Sequence, residues 1–276
     1  MKVFDFIRLT RPFNGLMVFL CVFAGAFSAG SNFHINRELI LISIVSLIVT
    51  LSANIINDYF DLEIDMINRP QRPLPSNKIS PVFALYISIF LFFLSFFISS
   101  FLNWKINIIV FLAVIISFFY TPIFKRIIFI KNFTVAINVA FAFLCGGLAV
   151  NSFVSAIPMA LFAFFISIFR EIMKDIYDFD GDKRNNIFTL PVKLGKKRAW
   201  LIANAFLLVL LIAIFYFYFF YQQNIMLLIF MLVLVIFPIF IFSYIVFKKH
   251  FEENSLFFAL RIFKIFMFLG LLLFFI

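Results

Sequence analysis

Hydrophobic positions run along this chain in long blocks, interrupted at intervals by short polar segments that carry most of its charge. Nine blocks stand out, at roughly 13–32, 38–56, 82–102, 105–121, 133–150, 156–173, 199–221, 225–247 and 255–275. Each is near the ~20 residues that a helix needs to cross a hydrocarbon core. Lipid offers the backbone no hydrogen-bond partner, so a block of this length satisfies its own amides as a helix. The pattern predicts an all-α membrane protein of about nine transmembrane helices. The first block follows Lys2, Arg8 and Arg11, with no small-residue cleavage site ahead of more soluble sequence, so it reads as a span and not as a signal peptide.

Composition agrees. Of 276 residues 65% are hydrophobic and 13% charged, against about 25% charged in a soluble domain. The net charge of +10 is explained by topology. With the N-terminus in the cytoplasm, twenty-one of the 23 basic residues fall in inside loops and flanks, and only Arg37 and Lys105 fall outside. The positive-inside rule selects that orientation, and the basic flanks attract anionic lipid. No basic face belongs to a soluble domain, so nucleic acid is not a partner. Cys21 and Cys145 lie inside separate hydrophobic blocks and read as apolar packing residues.

The acidic residues are distributed very differently. Nine of thirteen lie in or beside two runs, Asn57-Asp58-Tyr59-Phe60-Asp61-Leu62-Glu63-Ile64-Asp65 and Lys174-Asp175-Ile176-Tyr177-Asp178-Phe179-Asp180-Gly181-Asp182, with Glu171 just upstream. Asp58, Asp61 and Asp65 repeat the spacing i, i+3, i+7 of Asp175, Asp178 and Asp182, at a constant offset of 117 residues. On a helix that spacing stacks three carboxylates on one face. Each run ends an even-numbered span and is followed by basic residues: Arg69 and Arg72 after the first, Lys183 and Arg184 after the second. The chain therefore reads as one transmembrane domain built of two four-helix repeats, roughly 12–131 and 132–248, plus a ninth helix at 255–276. Such repeats commonly place a site at their interface, which predicts two aspartate clusters facing a shared central cavity.

Crowded carboxylates repel one another unless a cation stands among them, and a hard divalent ion such as Mg²⁺ that also binds phosphate meets that need. On this reading Asp58, Asp61 and Asp65 hold one Mg²⁺, and Asp175, Asp178 and Asp182 a second. Asp180 and Glu63 lie off the shared face and read as solvated. Arg69, Arg72, Lys125, Arg126, Arg170, Lys174, Lys183 and Arg184 are the candidates for binding phosphate, Arg by forked hydrogen bonds and Lys as a point charge. Asn57 orients a ligand or contacts phosphate, and Asn54, one turn earlier, supports it. Glu171 shares a face with Asp175 and is placed to hold a Lys or Arg. A diphosphate joined to a long hydrocarbon explains why such a site sits at the end of oily helices. An allylic carbocation formed when diphosphate leaves can be stabilised by aromatic faces, but 48 Phe and 8 Tyr are too many for composition to select the ones that do so. Tyr59, Tyr120 and Tyr177 stand at or near the runs.

The strings Asn57-Asp58-x-x-Asp61-x-x-x-Asp65 and Asp175-x-x-Asp178-x-x-x-Asp182, with nine spans, resemble the UbiA-type intramembrane prenyltransferases over essentially the whole chain. Within that superfamily the likeness is to the geranylgeranylglycerol-phosphate geranylgeranyltransferase branch. It rests on Ile67-Asn68-Arg69-Pro70-x-Arg72-Pro73-Leu74-Pro75-Ser76, on Arg170-Glu171-Ile172-x-Lys174-Asp175, on Thr189-Leu190-Pro191, and on Tyr120 with Lys125-Arg126. The resemblance implies a Mg²⁺-dependent transfer of a geranylgeranyl group from its diphosphate to the free hydroxyl of geranylgeranylglyceryl phosphate, a step of ether-lipid synthesis in the cell membrane. It implies a polyprenyl diphosphate donor, a prenylated glycerol phosphate acceptor and membrane lipid as partners. Asn77, Asn186 and Lys131 stand where relatives commonly carry Gly, and Asn is the next-best residue for a left-handed turn. The rivals are the same chemistry on an aromatic, quinone-precursor or tetrapyrrole acceptor, and a cation transporter lined by acidic pairs. Against a transporter, the acidic runs lie at helix ends and not at mid-membrane. Gly146 and Gly147 permit close helix contact within one subunit or between two, so the oligomeric state stays open.

Overall fold

The structure is a computed structural model that describes residues 3–30, 33–184, 187–222 and 225–273; Lys2 and Asn186 lie outside the described residues. It is all-helical there. The chain opens with α1 (Val3–Thr10) and α2 (Pro12–Phe27), bent by 48° at Arg11. Next come α3 (Arg37–Phe60), α4 (Leu62–Asn68), α5 (Pro81–Ser99) and α6 (Trp104–Phe119), then α7 (Ile130–Ala149), α8 (Phe153–Tyr177), α9 (Phe179–Arg184) and α10 (Leu190–Leu194). The last four are α11 (Lys196–Phe217), α12 (Ile225–Met231), α13 (Phe237–Lys248) and α14 (Glu253–Leu273). A π-helical turn at Tyr218–Gln222 extends α11, and another at Leu232–Ile236 joins α12 to α13.

Local chemistry sets the boundaries. Pro12, Pro81 and Pro191 occupy first turns, where a missing N–H costs nothing. The Asn36 side chain accepts from the Leu39 amide at 2.8 Å and Asn103 from the Lys105 amide at 3.0 Å, capping α3 and α6. Among the described residues, seven helical rods are long and apolar enough to cross a membrane: α3, α5, α7, α8, α11 with its π turn, the α12–α13 rod, and α14. The bent α1–α2 pair makes an eighth if it counts as one span. The expected fourth span is α6, which has only 16 residues, about 24 Å of helix against a ~30 Å core. The Asn103 cap trims its start, and Thr121-Pro122 follows its end.

The chain divides into two compact units, Met1–Lys125 with Phe141–Ala156, and Arg126–Ala140 with Ile157–Ile276. In the first, α3 packs against α2, α5 and α6 and buries Leu39, Ile42, Val45, Val49, Ile55 and Ile56. Glycines let α2 meet the second half of α7 at backbone contact. A Cβ on Gly146 would lie 1.9 Å from the Val22 carbonyl oxygen, and one on Gly25 2.0 Å from that of Phe143. The small residues thus serve packing inside this unit. Buried hydroxyls of Ser43 and Ser95 bond the carbonyls four residues back at 2.7 and 2.8 Å, as an apolar surrounding demands. In the second unit Phe169, Ile172, Met173, Ile176, Ala203, Leu207 and Phe263 form the core. Trp200 Nε1 donates to Ser243 Oγ at 2.9 Å and Ser243 Oγ to Asn204 Oδ1 at 3.1 Å, pinning α11 to α13.

Candidate active site

Each acidic run sits where a long helix breaks into a short one. In the first, backbone bonds from Asp61 N to the Asn57 carbonyl and from Asp65 N to the Asp61 carbonyl carry the helical register across the α3–α4 break, at 2.9 and 2.8 Å. In the second, Asp178 N to Lys174 O and Asp182 N to Asp178 O do the same across α8–α9, both at 2.9 Å. The spacing i, i+3, i+7 therefore keeps its geometric meaning although neither helix is continuous.

In the first unit, Asp58 and Asp65 are buried, and Arg72 Nη1 reaches both, at 3.1 Å to Asp58 Oδ1 and 2.5 Å to Asp65 Oδ2. Arg72 is aimed by its loop: Leu74 is buried against Leu9, Ile55, Ile79 and Ala84, the Ser76 hydroxyl donates to the Arg72 carbonyl at 2.7 Å, and Asn77 takes the left-handed turn at φ 56°. Lys125 Nζ lies 2.7 and 2.8 Å from the two oxygens of Asp61. Asn57 Oδ1 accepts from the Thr121 hydroxyl at 2.8 Å, so a neighbouring residue fixes its amide. Asn54 does not face the carboxylates; its Nδ2 donates to the Thr10 carbonyl at 2.9 Å. That bond steadies the bend, where Arg11 sits at φ 51° and pairs its guanidinium with Asp58. A left-handed non-glycine residue costs of order 1 kcal/mol, and here its strain places a second cation on Asp58.

In the second unit, Asp175 is 1% exposed and both its oxygens are taken, Oδ1 by Lys131 Nζ at 2.7 Å and Oδ2 by Asn132 Nδ2 at 3.0 Å. Glu171 is buried too and holds Arg170 Nη1 at 2.6 Å, with Lys174 Nζ at 3.9 Å, as its place on the helix face implied. Arg170 and Lys174 are thus paired to Glu171, although the sequence offered them for phosphate. Asp182 is half-buried, and its Oδ2 and the Thr189 hydroxyl each make no hydrogen bond of good geometry. Burial pushes its carboxyl up to about 6, with Asp175 and Asp178 adding to the rise and the Lys131 charge and the neighbouring Thr189 hydroxyl opposing it. Asp180 is exposed and lies 3.6 Å from Lys196.

Arg69, Arg126, Lys183 and Arg184 stand exposed on the surface, and Tyr120 caps the end of α6. Sequence reasoning placed none of Arg11, Thr121, Lys131, Asn132 and Thr189 among the site residues, although Lys131 and Thr189 entered the comparison with relatives. Arg11 could have been found from its place before Pro12 at a helix break. The others come close to the clusters only through folding.

Among the described residues no three acidic, His or Cys side chains converge as a ready-made metal centre. The chemistry nonetheless fits Mg²⁺. The donors are hard carboxylate oxygens, one Arg72 nitrogen bridges two carboxylates as an ion would, and Asp182 has a buried oxygen without a hydrogen bond of good geometry.

Paired carboxylate clusters on apolar helices describe a membrane enzyme of prenyl diphosphates, and the comparisons with known proteins agree. Residues 17–272 match the UbiA prenyltransferase family; the chain belongs to that family and is an integral membrane protein. It is 40% identical over 198 residues to the digeranylgeranylglyceryl phosphate synthase of Methanosphaera stadtmanae, covering 72% of each chain. It is 36% identical over 201 residues to that of Pyrococcus horikoshii, covering 73% of each. A solved structure of a digeranylgeranylglyceryl phosphate synthase superposes with a TM-score of 0.79 at 29% identity, over 98% of this chain and 96% of that one. A UbiA homologue from Archaeoglobus fulgidus, bound to DMAPP and Mg²⁺, shares the fold with a TM-score of 0.72 at 21% identity, over 97% and 99% of the two chains.

Proposed function

We propose that this prenyltransferase transfers a geranylgeranyl group from geranylgeranyl diphosphate to the free hydroxyl of geranylgeranylglyceryl phosphate. The bond between the allylic carbon and the diphosphate oxygen breaks, an ether bond forms to the acceptor oxygen, and diphosphate and one proton are released. The observation that carries the chemistry is the pair of carboxylate clusters set among basic side chains at helix ends. The acceptor reading is supported by the relatives' identity, 40% and 36% over nearly three quarters of the chain. We place the N-terminus and both clusters on the cytoplasmic side, as the basic loops indicate.

Asp58, Asp61 and Asp65 hold one Mg²⁺ in this reading, and the second cluster holds another. Bound there, Mg²⁺ neutralises phosphate oxygens and stabilises charge on the departing diphosphate. The chain's own part begins with Arg72, which holds Asp58 and Asp65 together. Lys125 lies against Asp61 and would be free to meet the diphosphate were a metal to take that carboxylate. Arg11 stabilises Asp58 in the same way, and Asn57 is kept in one orientation by Thr121. Arg69, Arg126, Lys183 and Arg184, exposed at the membrane edge, add the positive field that gathers anionic substrates.

The reading is tested in liposomes with geranylgeranyl diphosphate and Mg²⁺, offering geranylgeranylglyceryl phosphate or aromatic acceptors and weighing the products by mass spectrometry. A di-ether phosphate whose formation EDTA abolishes is the expected outcome. Transfer only to an aromatic acceptor would keep the chemistry and overturn the acceptor.

A further inference from the structure

We infer that a groove edged by Arg126 and Lys193 seats the phosphate monoester of the acceptor, a site distinct from the carboxylate clusters that serve the diphosphate. The inference rests on the function proposed above and deepens it: beyond adding to a general positive field, Arg126 selects an acceptor that carries phosphate.

The groove lies within the second unit and has a volume of about 640 Å³, inside the ~300–1,000 Å³ range of small-molecule sites. Ile127, Ile128, Phe188 and Val192 line it together with the two cations, so every lining residue is basic or apolar. Packing fixes its walls. Leu190 is 2% exposed in the core of this unit, and Ile128 and Leu194 pack against that core. With Leu190 and Pro191 buried, the next two residues of α10, Val192 and Lys193, are the ones left to line the groove.

Charge decides the occupant. Arg72, Lys125, Lys131 and Arg170 each hold a carboxylate. Arg126 and Lys193 are exposed instead and form no ion pair among the described residues. A phosphate monoester carries about −1.5 to −2 charge near neutral pH. Two cations match it, Arg through forked hydrogen bonds and Lys as a point charge. The phosphodiester of a bulk lipid brings one negative charge and calls for one partner. A diphosphate calls for Mg²⁺ in the reading above, and no carboxylate lines this groove. The four apolar side chains suit the hydrocarbon that follows the head group.

Both walls are tied to the second cluster. Ile128 leads into the first turn of α7, where Lys131 Nζ and Asn132 Nδ2 lie 2.7 and 3.0 Å from the oxygens of Asp175. On the other wall the Ile187 amide, one residue before Phe188, donates to the Asp182 carbonyl at 2.9 Å. An acceptor anchored by its phosphate is thus held at the end of the unit that carries the second set of carboxylates.

The test is steady-state kinetics in nanodiscs of zwitterionic phospholipid, with geranylgeranyl diphosphate and either geranylgeranylglyceryl phosphate or geranylgeranylglycerol as acceptor. Wild type is compared with Arg126→Gln/Lys193→Gln and with Val192→Trp, which fills the groove without changing its charge. We expect the double variant to raise KM for the phosphate acceptor by about tenfold, with kcat and KM for the donor within about threefold of wild type. Its preference for the phosphate acceptor over the alcohol, as kcat/KM, should fall by a similar factor. Val192→Trp should raise the same KM. Both replaced cations are exposed, so an unchanged melting temperature will accompany these effects. Equal losses on the two acceptors, or a donor KM that rises with the acceptor KM, would reduce the two cations to a general field and overturn the inference. Adding phosphatidylglycerol should leave the wild-type acceptor KM unchanged; a rise to the level of the double variant would make bulk lipid the occupant and also overturn it. A wild type that forms no di-ether product from either acceptor would overturn the proposed function itself.

Discussion

The first cluster gives every one of its aspartates a basic partner: Arg11 and Arg72 on Asp58, Arg72 on Asp65, Lys125 on Asp61. The second, with the same aspartate spacing, pairs Asp175 with Lys131 and leaves Asp182 a buried oxygen without a hydrogen bond of good geometry. The offset of 117 that relates the aspartates sets Thr189 where Arg72 stands. A guanidinium that bridges two carboxylates in the first cluster thus has a hydroxyl at the matching position of the second. Spacing along a helix is local, whereas counter-ions come from other segments and differ freely. The consequence is electrostatic: each aspartate of the first cluster lies against its own basic side chain, whereas in the second only Asp175 is directly paired, and Asp182 feels the Lys131 charge without an ion pair.

The comparison is most severely tested at the central aspartates. Asp61→Asn and Asp178→Asn should each lower turnover by on the order of 10²–10³-fold, measured as product mass in liposomes at fixed Mg²⁺. If one cluster proved silent while the other was essential, the two would not be equivalent metal sites. Next in size is Arg72→Met, which leaves Asp58 and Asp65 buried against each other. Breaking such a pair costs about 3 kcal/mol, so the melting temperature in detergent should fall sharply; an unchanged value would mean that Arg72 does not hold the cluster together.

The pH dependence separates the two clusters more finely. The Asp182 carboxyl is raised from 3.8 to about 6 by burial. The folded protein keeps that proton in a window where the unfolded chain has lost it. Metal-free protein should therefore lose stability as pH rises from about 4 to 6 and change little above. The same proton competes with the ion, so Mg²⁺ affinity should drop as pH falls below 6. Thr189→Arg, which supplies the missing guanidinium, should remove both trends; trends that persist would assign them to another group. The smallest effect is expected at Asp180, exposed and 3.6 Å from Lys196. Asp180→Asn should change stability by less than ~0.5 kcal/mol and leave turnover intact, and a large loss would place Asp180 in the site.

Length and hydrophobic pattern alone determined the helical class, the positions of the spans within a few residues, and the two aspartate faces. Those features depend on contacts within a helical turn or on transfer of a whole segment into lipid, and both are written in consecutive residues. The sequence marked α6 as a span, but the Asn103 cap and Thr121-Pro122 leave it at 16 residues. It offered Arg72 and Lys125 for phosphate, and in the structure both lie against carboxylates of the first cluster. It offered Arg170 and Lys174 for phosphate, whereas Glu171, one and three residues away, takes them up. Only the tertiary structure decided that Arg11 reaches Asp58 across 47 positions, that Thr121 fixes Asn57 across 64, and that Lys131 and Asn132 close over Asp175 across about 43. Such pairings are settled by which helices pack together and how far each is buried, and a carboxylate drawn out of water accepts whichever cation the packing brings to it.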